Sequence, residues 1–344
     1  MTLRIGILGA ARIAPYALIK HARALPGVEV VAVAEEYQDA AALAKYAKKH
    51  RIPSTHRSFD ELLARSDIDA VYVPLPISMH VEWTLRAIAA GKHVLCEKPM
   101  AANADEAARI AQAAAGTGLI VAEAMHFRYH PLVERVRDIL ASGELGALER
   151  IDASFSAYLP FDDFRFDYRT GGGGTIDMGC YPVGFVRAVT GDEPVVESAR
   201  AKLHGTLIDR QMEATLRLPR SGATVDLFVG MRCSRLLSVS MKLVGTRGRM
   251  DILNFIKPEV YHRLVVRSDG ARRVERVPGG STYGAQLAAF AEAVRTGVPP
   301  TTTADDAVAN MRVIDALYLA AGLPVRGDAA VLARLAAGHP HRTA

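Results

Sequence analysis

The first third of the chain alternates short apolar runs with helix-like stretches, and that alternation limits the fold more than any other feature. Leu3–Leu8 is an apolar strand that runs directly into Gly9. Val28–Ala34 is β-branched and nearly unbroken, as in a strand buried on both faces. Ala70–Val73, His93–Cys96 and residues 119–122 read as three more strands. Residues 40–50, 59–64, 81–90 and 104–115 read as the helices between them. Pro15 suits the first turn of a helix that opens behind Gly9, where its missing N–H is not needed. Strand–helix–strand at this regularity predicts right-handed crossovers and a parallel, doubly wound sheet. Such sheets bind ligands beyond the carboxyl ends of their strands. Gly9, Glu35, Pro74, Leu75, Pro76, Glu97 and Lys98 all fall there.

From Leu148 the period changes to two. Ile151, Ala153, Phe155 and Ala157 alternate with Asp152, Ser154, Ser156 and Tyr158, and the pattern returns at Met212–Leu218 and Val239–Leu243. Turn signals stand at 219–222, 245–248 and Asp269-Gly270. This predicts an α+β second domain with a large open, mostly antiparallel sheet, with helices at roughly 175–190, 282–296 and 304–320. The expected division is a dinucleotide-binding domain over 1–124, a substrate-binding and oligomerisation domain over 125–335, and a polar tail over 336–344. The free sheet face is expected to be apolar and to pair with another copy, giving a homodimer or a homotetramer.

The turn after the first strand carries a dinucleotide signature. That fingerprint asks for glycine at the tight turn, a tiny residue facing the pyrophosphate and a small one at the helix–strand contact. Gly9, Ala11 and Ala14 stand at those places, with Arg12 and Ile13 between them. Alanine at 11 is expected to hold the backbone slightly away from the phosphates. A plain βα turn is the other explanation. Glu35 follows the second strand, where an acid accepts hydrogen bonds from ribose hydroxyls and repels a 2′-phosphate. Glu36 adds a second charge, and no arginine lies within the next several residues. NAD is therefore the expected cofactor, with NADP as the second choice. A solvated charge pair is the alternative for these two acids.

At 97–99, Pro99 biases Lys98 out of the helical region at a strand's carboxyl edge. A lysine there can supply a proton or stabilise a developing alkoxide, although a surface position is the commonest fate of a lysine. Gly171, Gly172, Gly173 and Gly174 can form a flexible loop that approaches a ligand closely. Thr175 then starts a helix, and Asp177 and Tyr181, four apart, share one face. Asp177 as a helix-terminal acid and Tyr181 as a half-buried core ring are the competing explanations. Residues 123–131 mix Glu123, His126, Arg128 and His130 with aromatics, as a polyol pocket would. Arg128 and His130 are candidates for that pocket or for a joint between domains. Arg165 and Arg169 are candidates for its mouth, or for surface ion pairs.

These segments together resemble the Gfo/Idh/MocA oxidoreductases. The resemblance rests on Gly-Ile-Leu-Gly-Ala-Ala-Arg-Ile-Ala at 6–14, Pro-Leu-Pro at 74–76 with His80, Gly-Lys-His-Val-Leu-Cys-Glu-Lys-Pro at 91–99, and Gly-Gly-Gly-Gly-Thr-Ile-Asp-Met-Gly-Cys-Tyr-Pro at 171–182. It spans about residues 3–325 and looks nearest to the branch of NADP-dependent D-xylose dehydrogenases and dimeric dihydrodiol dehydrogenases. It implies a Rossmann domain, a mixed second domain, and hydride transfer between a nicotinamide and a sugar, polyol or cyclic diol carbon. It further implies that Lys98 is catalytic, that Tyr181 is the acid/base, that Glu123 lies beside the nicotinamide and that His80 supports the cofactor loop. Tyr181 then serves as proton relay and Lys98 as its electrostatic partner, or the reverse. Asp177 orients Lys98 or binds a substrate hydroxyl. A nucleotide- and sugar-sensing regulatory protein of the same fold is the alternative function, and the presence of both Lys98 and Tyr181 argues against it.

Composition narrows the partners. Lys and Arg number 42 against 37 Asp and Glu, a net charge of +5. The excess is spread out, so no nucleic-acid partner is expected. No apolar stretch is long enough to span a bilayer, and residues 1–6 lack the layout of a secretion signal. Cys96, Cys180 and Cys233 are too few and too far apart for a disulfide framework or a zinc site. A cytoplasmic enzyme without a metal is the expectation.

Overall fold

The computed structural model describes residues 2–337; the end of the expected tail, 338–344, lies outside them. The chain divides into two compact units. Among the described residues the first comprises 2–101, 105–130 and 279–308, and the second comprises 102–104, 131–278 and 309–337. The first unit therefore extends past residue 124 and recovers a late segment of the chain.

The first unit holds six parallel strands: β1 (Leu3–Leu8), β2 (Val28–Ala34), β3 (Ser54–His56), β4 (Ala70–Val73), β5 (His93–Cys96) and β6 (Val121–Glu123). Their order is β3-β2-β1-β4-β5-β6. The order reverses at β1, which opens a crevice between the β1 and β4 ends. Five strands were expected. The extra one, β3, is three polar residues and carries no apolar run. β6 begins two residues later than expected and ends on Glu123 because Val94 pairs with Val121. The helix Thr282–Thr296 supplies Leu287, Phe290 and Ala293 to the same core as Ile5, Ile7, Leu18 and Tyr72. Burial of Leu287 and Phe290, at roughly 1.5–3 kcal/mol each, holds this late segment in the first unit.

The second unit holds eight strands: β7 (Leu148–Ala157), β8 (Val195–His204), β9 (Ile208–Arg217), β10 (Thr224–Met231), β11 (Leu237–Gly245), β12 (Gly248–Leu253), β13 (Arg263–Ser268) and β14 (Ala271–Glu275). Their order is β14-β13-β12-β11-β7-β10-β9-β8. Only β7 and β10 pair in parallel. Asp269 and Gly270 make the tight β13–β14 turn with φ of +49° and +78°, as a two-residue hairpin requires. The face carrying Ile151, Ala153, Leu227 and Met241 is buried, and the helix Cys180–Thr190 covers part of it.

The other face departs from expectation because two of its rungs are mostly charged, not apolar. One rung across the strands reads Thr215, Asp226, Asp152, Lys242, Asp251. The adjacent rung reads Arg217, Thr224, Arg150, Val244, Arg249, Arg267. Arg150 and Lys242 both pair with Asp152, at 3.0 and 3.6 Å, and Arg267 pairs with Asp251. Among the described residues no helix is long and apolar enough to cross a membrane.

Candidate functional site

Gly9 leaves β1 with φ of +103°, a region that side chains rarely adopt. A Cβ there would also sit 2.9 Å from Leu75 Cδ2. Its N–H donates to Ala34 O at 2.8 Å. Backbone conformation thus requires glycine here, and any side chain would also have to displace the end of Leu75. Ala11 has no positive φ, so alanine can replace the second glycine without backbone strain. The following helix opens as a π-helical turn over Pro15–Ile19, a form frequent at functional sites.

Glu35 is only 5% exposed, which removes the solvated-pair explanation. Its Oε2 accepts from Ala10 N at 2.9 Å and Gln38 Nε2 at 3.1 Å, and its Oε1 accepts from Tyr37 N at 2.9 Å. The carboxylate ties the phosphate loop to the end of β2 and keeps capacity for one more donor. Glu36 Oε1 accepts from Phe59 N at 2.7 Å.

Three groups brace the turn that carries Lys98. His80, buried, sets Nε2 2.7 Å from Leu75 O and Nδ1 2.8 Å from Pro99 O. A neutral imidazole donates to only one of them. Burial lowers its pKa more than the two carbonyls raise it. Glu97 accepts from Tyr72 Oη at 2.5 Å and from Lys98 N at 3.3 Å. Burial, then the Glu97 charge, holds the Tyr72 phenol well above its ordinary pKa, so it stays a donor. Glu123, buried, accepts from Met100 N at 2.8 Å. The Lys98–Pro99 peptide is cis. Arg128, expected in a polyol pocket, pairs with Asp306 at 3.2 Å.

In the second unit the glycine run is close-packed, not flexible as its composition suggests. A Cβ on Gly172 would lie 2.4 Å from Arg165 O, and one on Gly173 would lie 2.5 Å from Asp209 Oδ1. The run leads into a π-helical turn, Thr175–Gly179, and then the helix Cys180–Thr190. Asp177 Oδ2 accepts from Arg165 Nε at 2.8 Å, and Arg165 Nη1 reaches Asp163 at 3.1 Å. Burial disfavours the Arg165 charge, yet Asp177 and Asp163 outweigh it and raise its pKa. Tyr181 is buried and meets the Phe155 ring edge-on at 5.5 Å. Arg169 pairs with Asp167 at the surface. Sequence reasoning passed over Asp163, because one acid in a loop carries no local signal.

Two family profiles cover most of the chain. One, described as an oxidoreductase family with an NAD-binding Rossmann fold, matches residues 3–125. The other, a Gfo/Idh/MocA C-terminal domain, matches residues 133–251. The chain belongs to the Gfo/Idh/MocA oxidoreductases. Among its relatives, D-xylose 1-dehydrogenase (NADP(+)) 2 of Haloferax volcanii is 33% identical, with 92% of this chain and 96% of that one covered. Trans-1,2-dihydrobenzene-1,2-diol dehydrogenase of Bos taurus is 34% identical over 74% of this chain and 75% of its own. A 3-ketoreductase of Actinomadura kijaniata, solved with NADP and TDP-benzene, superposes with a TM-score of 0.85 at 28% identity, covering 93% of this chain and 98% of that one. The first of these profiles spans β1, the turn at Gly9 and the rest of the six-stranded sheet.

Proposed function

We propose that the protein interconverts a secondary or hemiacetal alcohol and its carbonyl on a sugar, polyol or cyclic diol. When bound, the nicotinamide supplies or takes the hydride. Gly9, Ala11, Arg12, Ile13, Glu35, Pro74, Leu75, Pro76, His80, Glu97 and Glu123 hold or brace the cofactor. Tyr181 takes the substrate's hydroxyl proton during oxidation and returns it during reduction. The Lys98 ammonium favours the phenolate form of that tyrosine. Proton transfer of this kind is worth roughly 10²–10⁴ in rate. Asp177, oriented by Arg165, binds a substrate hydroxyl. The Asp306 partner makes Arg128 a supporting residue more than a substrate ligand.

The reading rests chiefly on one observation. Tyr72–Glu97, His80 and Glu123 all converge on the single turn that presents Lys98. An ordinary surface lysine needs no such bracing. The direct test is to add NAD⁺ or NADP⁺ with a panel of aldoses, polyols and cyclic diols and follow the absorbance of the reduced nicotinamide. Tight nucleotide binding with no reduction on any panel member refutes the dehydrogenase and leaves the sensor.

Glu35 and Glu36 favour NAD over NADP by repelling a 2′-phosphate. The open sheet face pairs with a second copy, because adjacent basic and acidic rungs can face each other across a two-fold axis. Cys96, Cys180 and Cys233 are all buried, and so few, widely spaced cysteines suit a reducing compartment; we place the enzyme in the cytoplasm. Light scattering of the wild type and of an Asp152→Lys/Asp251→Lys variant tests the pairing: a dimer that becomes monomeric supports it, and a wild-type monomer refutes it.

A further inference from the structure

Arg326 and Asp209 are both fully buried, 0% exposed, and pair at 2.7 Å. They lie in the second unit. The site described above does not include them, and neither was singled out in the sequence. The Asp209 carboxylate is filled on both oxygens. Oδ1 accepts from Arg326 Nη2 and from Tyr318 Oη at 2.9 Å, and Oδ2 accepts from Thr175 N and Thr175 Oγ1, each at 2.6 Å. The Arg326 fork is nearly filled as well. Nε donates to Gly172 O at 2.6 Å, Nη1 to Pro324 O at 3.2 Å and Nη2 to Leu207 O at 3.0 Å. Tyr318 Oη also accepts from Ile176 N at 3.1 Å.

Four of these bonds end on Gly172, Thr175 and Ile176, the residues that launch the helix of Asp177 and Tyr181. The backbone of Arg326 meanwhile anchors a second segment. Its carbonyl accepts from Asn103 Nδ2 at 2.8 Å, and Asn103 follows Lys98 by five positions. Buried ion pairs are poor sources of net stability, because desolvation offsets most of the attraction. A pair this completely bonded, aimed at one loop, is better explained by the geometry it enforces.

We infer that Arg326 is a positioning residue. With Asp209 it fixes the glycine run and the first turn before Tyr181, and through its carbonyl it fixes the segment that follows the Lys98 turn. It touches neither substrate nor cofactor. This inference rests on the proposed role of Tyr181.

The test uses the full-length enzyme and two variants. Arg326→Lys keeps one charge but cannot span Gly172, Leu207 and Asp209 at once. Thr175→Val keeps the shape, removes one bond to Asp209 and leaves the buried charges paired, so it remains available if the first variant does not fold. With NAD⁺ and the best aldose of a panel that includes D-xylose, each variant is expected to lower kcat about tenfold or more, as small misplacements do. The KM for NAD⁺ should stay within about twofold. In a Tyr181→Phe background the same substitutions should cause little further loss, because their effect passes through Tyr181. Equal losses in both backgrounds, or an unchanged kcat, overturn the inference. A second readout needs no substrate. Amide exchange at Thr175 and Ile176 should speed up at least about tenfold while β9 and β10 stay protected. If no sugar is oxidised but this exchange changes, the functional reading has failed and the anchoring stands. Unchanged exchange sinks the anchoring itself.

Discussion

The Glu35 carboxylate accepts the Ala10 N–H at 2.9 Å, so the acid that follows β2 is part of the wall of the phosphate loop. Any attempt to change cofactor choice at this residue therefore also disturbs the loop. Glu35→Gln can keep an acceptor for Ala10 through its amide oxygen, gives up the bond from Tyr37 N, and removes the charge. It should improve the NADP-to-NAD ratio of kcat/KM about tenfold, the effect of relieving one repulsion of roughly 1–2 kcal/mol. Glu35→Ala leaves the Ala10 N–H without its partner, should cost about 1–3 kcal/mol of stability, and should weaken both dinucleotides. Steady-state kinetics with both cofactors and thermal unfolding check the pair. A wild type that already prefers NADP removes the electrostatic basis for NAD.

Lys98→Met should lower turnover by roughly 10²–10⁴ and leave dinucleotide affinity within a few-fold. Fluorescence titration with the reduced cofactor and initial rates on the same samples separate the two effects. Wild-type turnover in this variant would contradict the catalytic assignment.

His80 bridges the loop at 74–76 and the turn at 98–99 through Leu75 O and Pro99 O. His80→Leu should destabilise the protein by about 1–3 kcal/mol, since one of the two buried carbonyls loses its N–H donor and both lose the packed ring. It should also raise the KM for the dinucleotide more than it lowers kcat. Urea unfolding and cofactor titration measure both.

Arg165 holds Asp177 and Asp163 from one guanidinium. Lysine cannot reproduce that fork. Arg165→Lys should raise the KM for the sugar and reduce kcat about tenfold, with the KM for the dinucleotide unchanged.

Glu275 sits between Arg135, at 2.7 Å, and Arg273, at 2.5 Å. The Arg135 hydrogen bond, aided by Arg273, lowers its carboxyl pKa from 4.5 to about 2. A depressed carboxyl pKa stabilises the fold above its ordinary value, and that contribution fades as pH falls from 4.5 towards 2. Glu275→Gln should thus cost about 1–2 kcal/mol near neutrality, after allowing for partial exposure. The difference from wild type should shrink as the pH approaches 3. Urea midpoints across that range test the sign.

Much of the first unit is legible in the sequence. β1, β2, β4 and β5 were read with their observed ends, because an unbroken apolar run followed by glycine, proline or a charge is a local signal. The Asp269-Gly270 hairpin was legible because only a few residue types accept two successive positive φ angles. β3 was not, since its three polar residues pair only because Ala32, Val33 and Ala34 present an open edge to them. The charge of the open sheet face is written in the alternation at Asp152 and Lys242, but which strands align those charges into rungs is set by tertiary pairing.

By itself, then, the chain's sequence determined the parallel sheet, the glycine turn after β1 and the placing of Glu35, Glu97 and Lys98 at strand ends. Each follows from backbone preferences and side-chain periods that act within a few residues. Tertiary structure alone decided what those groups hold on to. Glu35 takes Ala10 from 25 positions away, Glu123 takes Met100 from 23 positions away, and Asp209 meets Arg326 across 117. A buried carboxylate or guanidinium must find partners wherever the packed chain brings them, and nothing local in sequence records which ones those are.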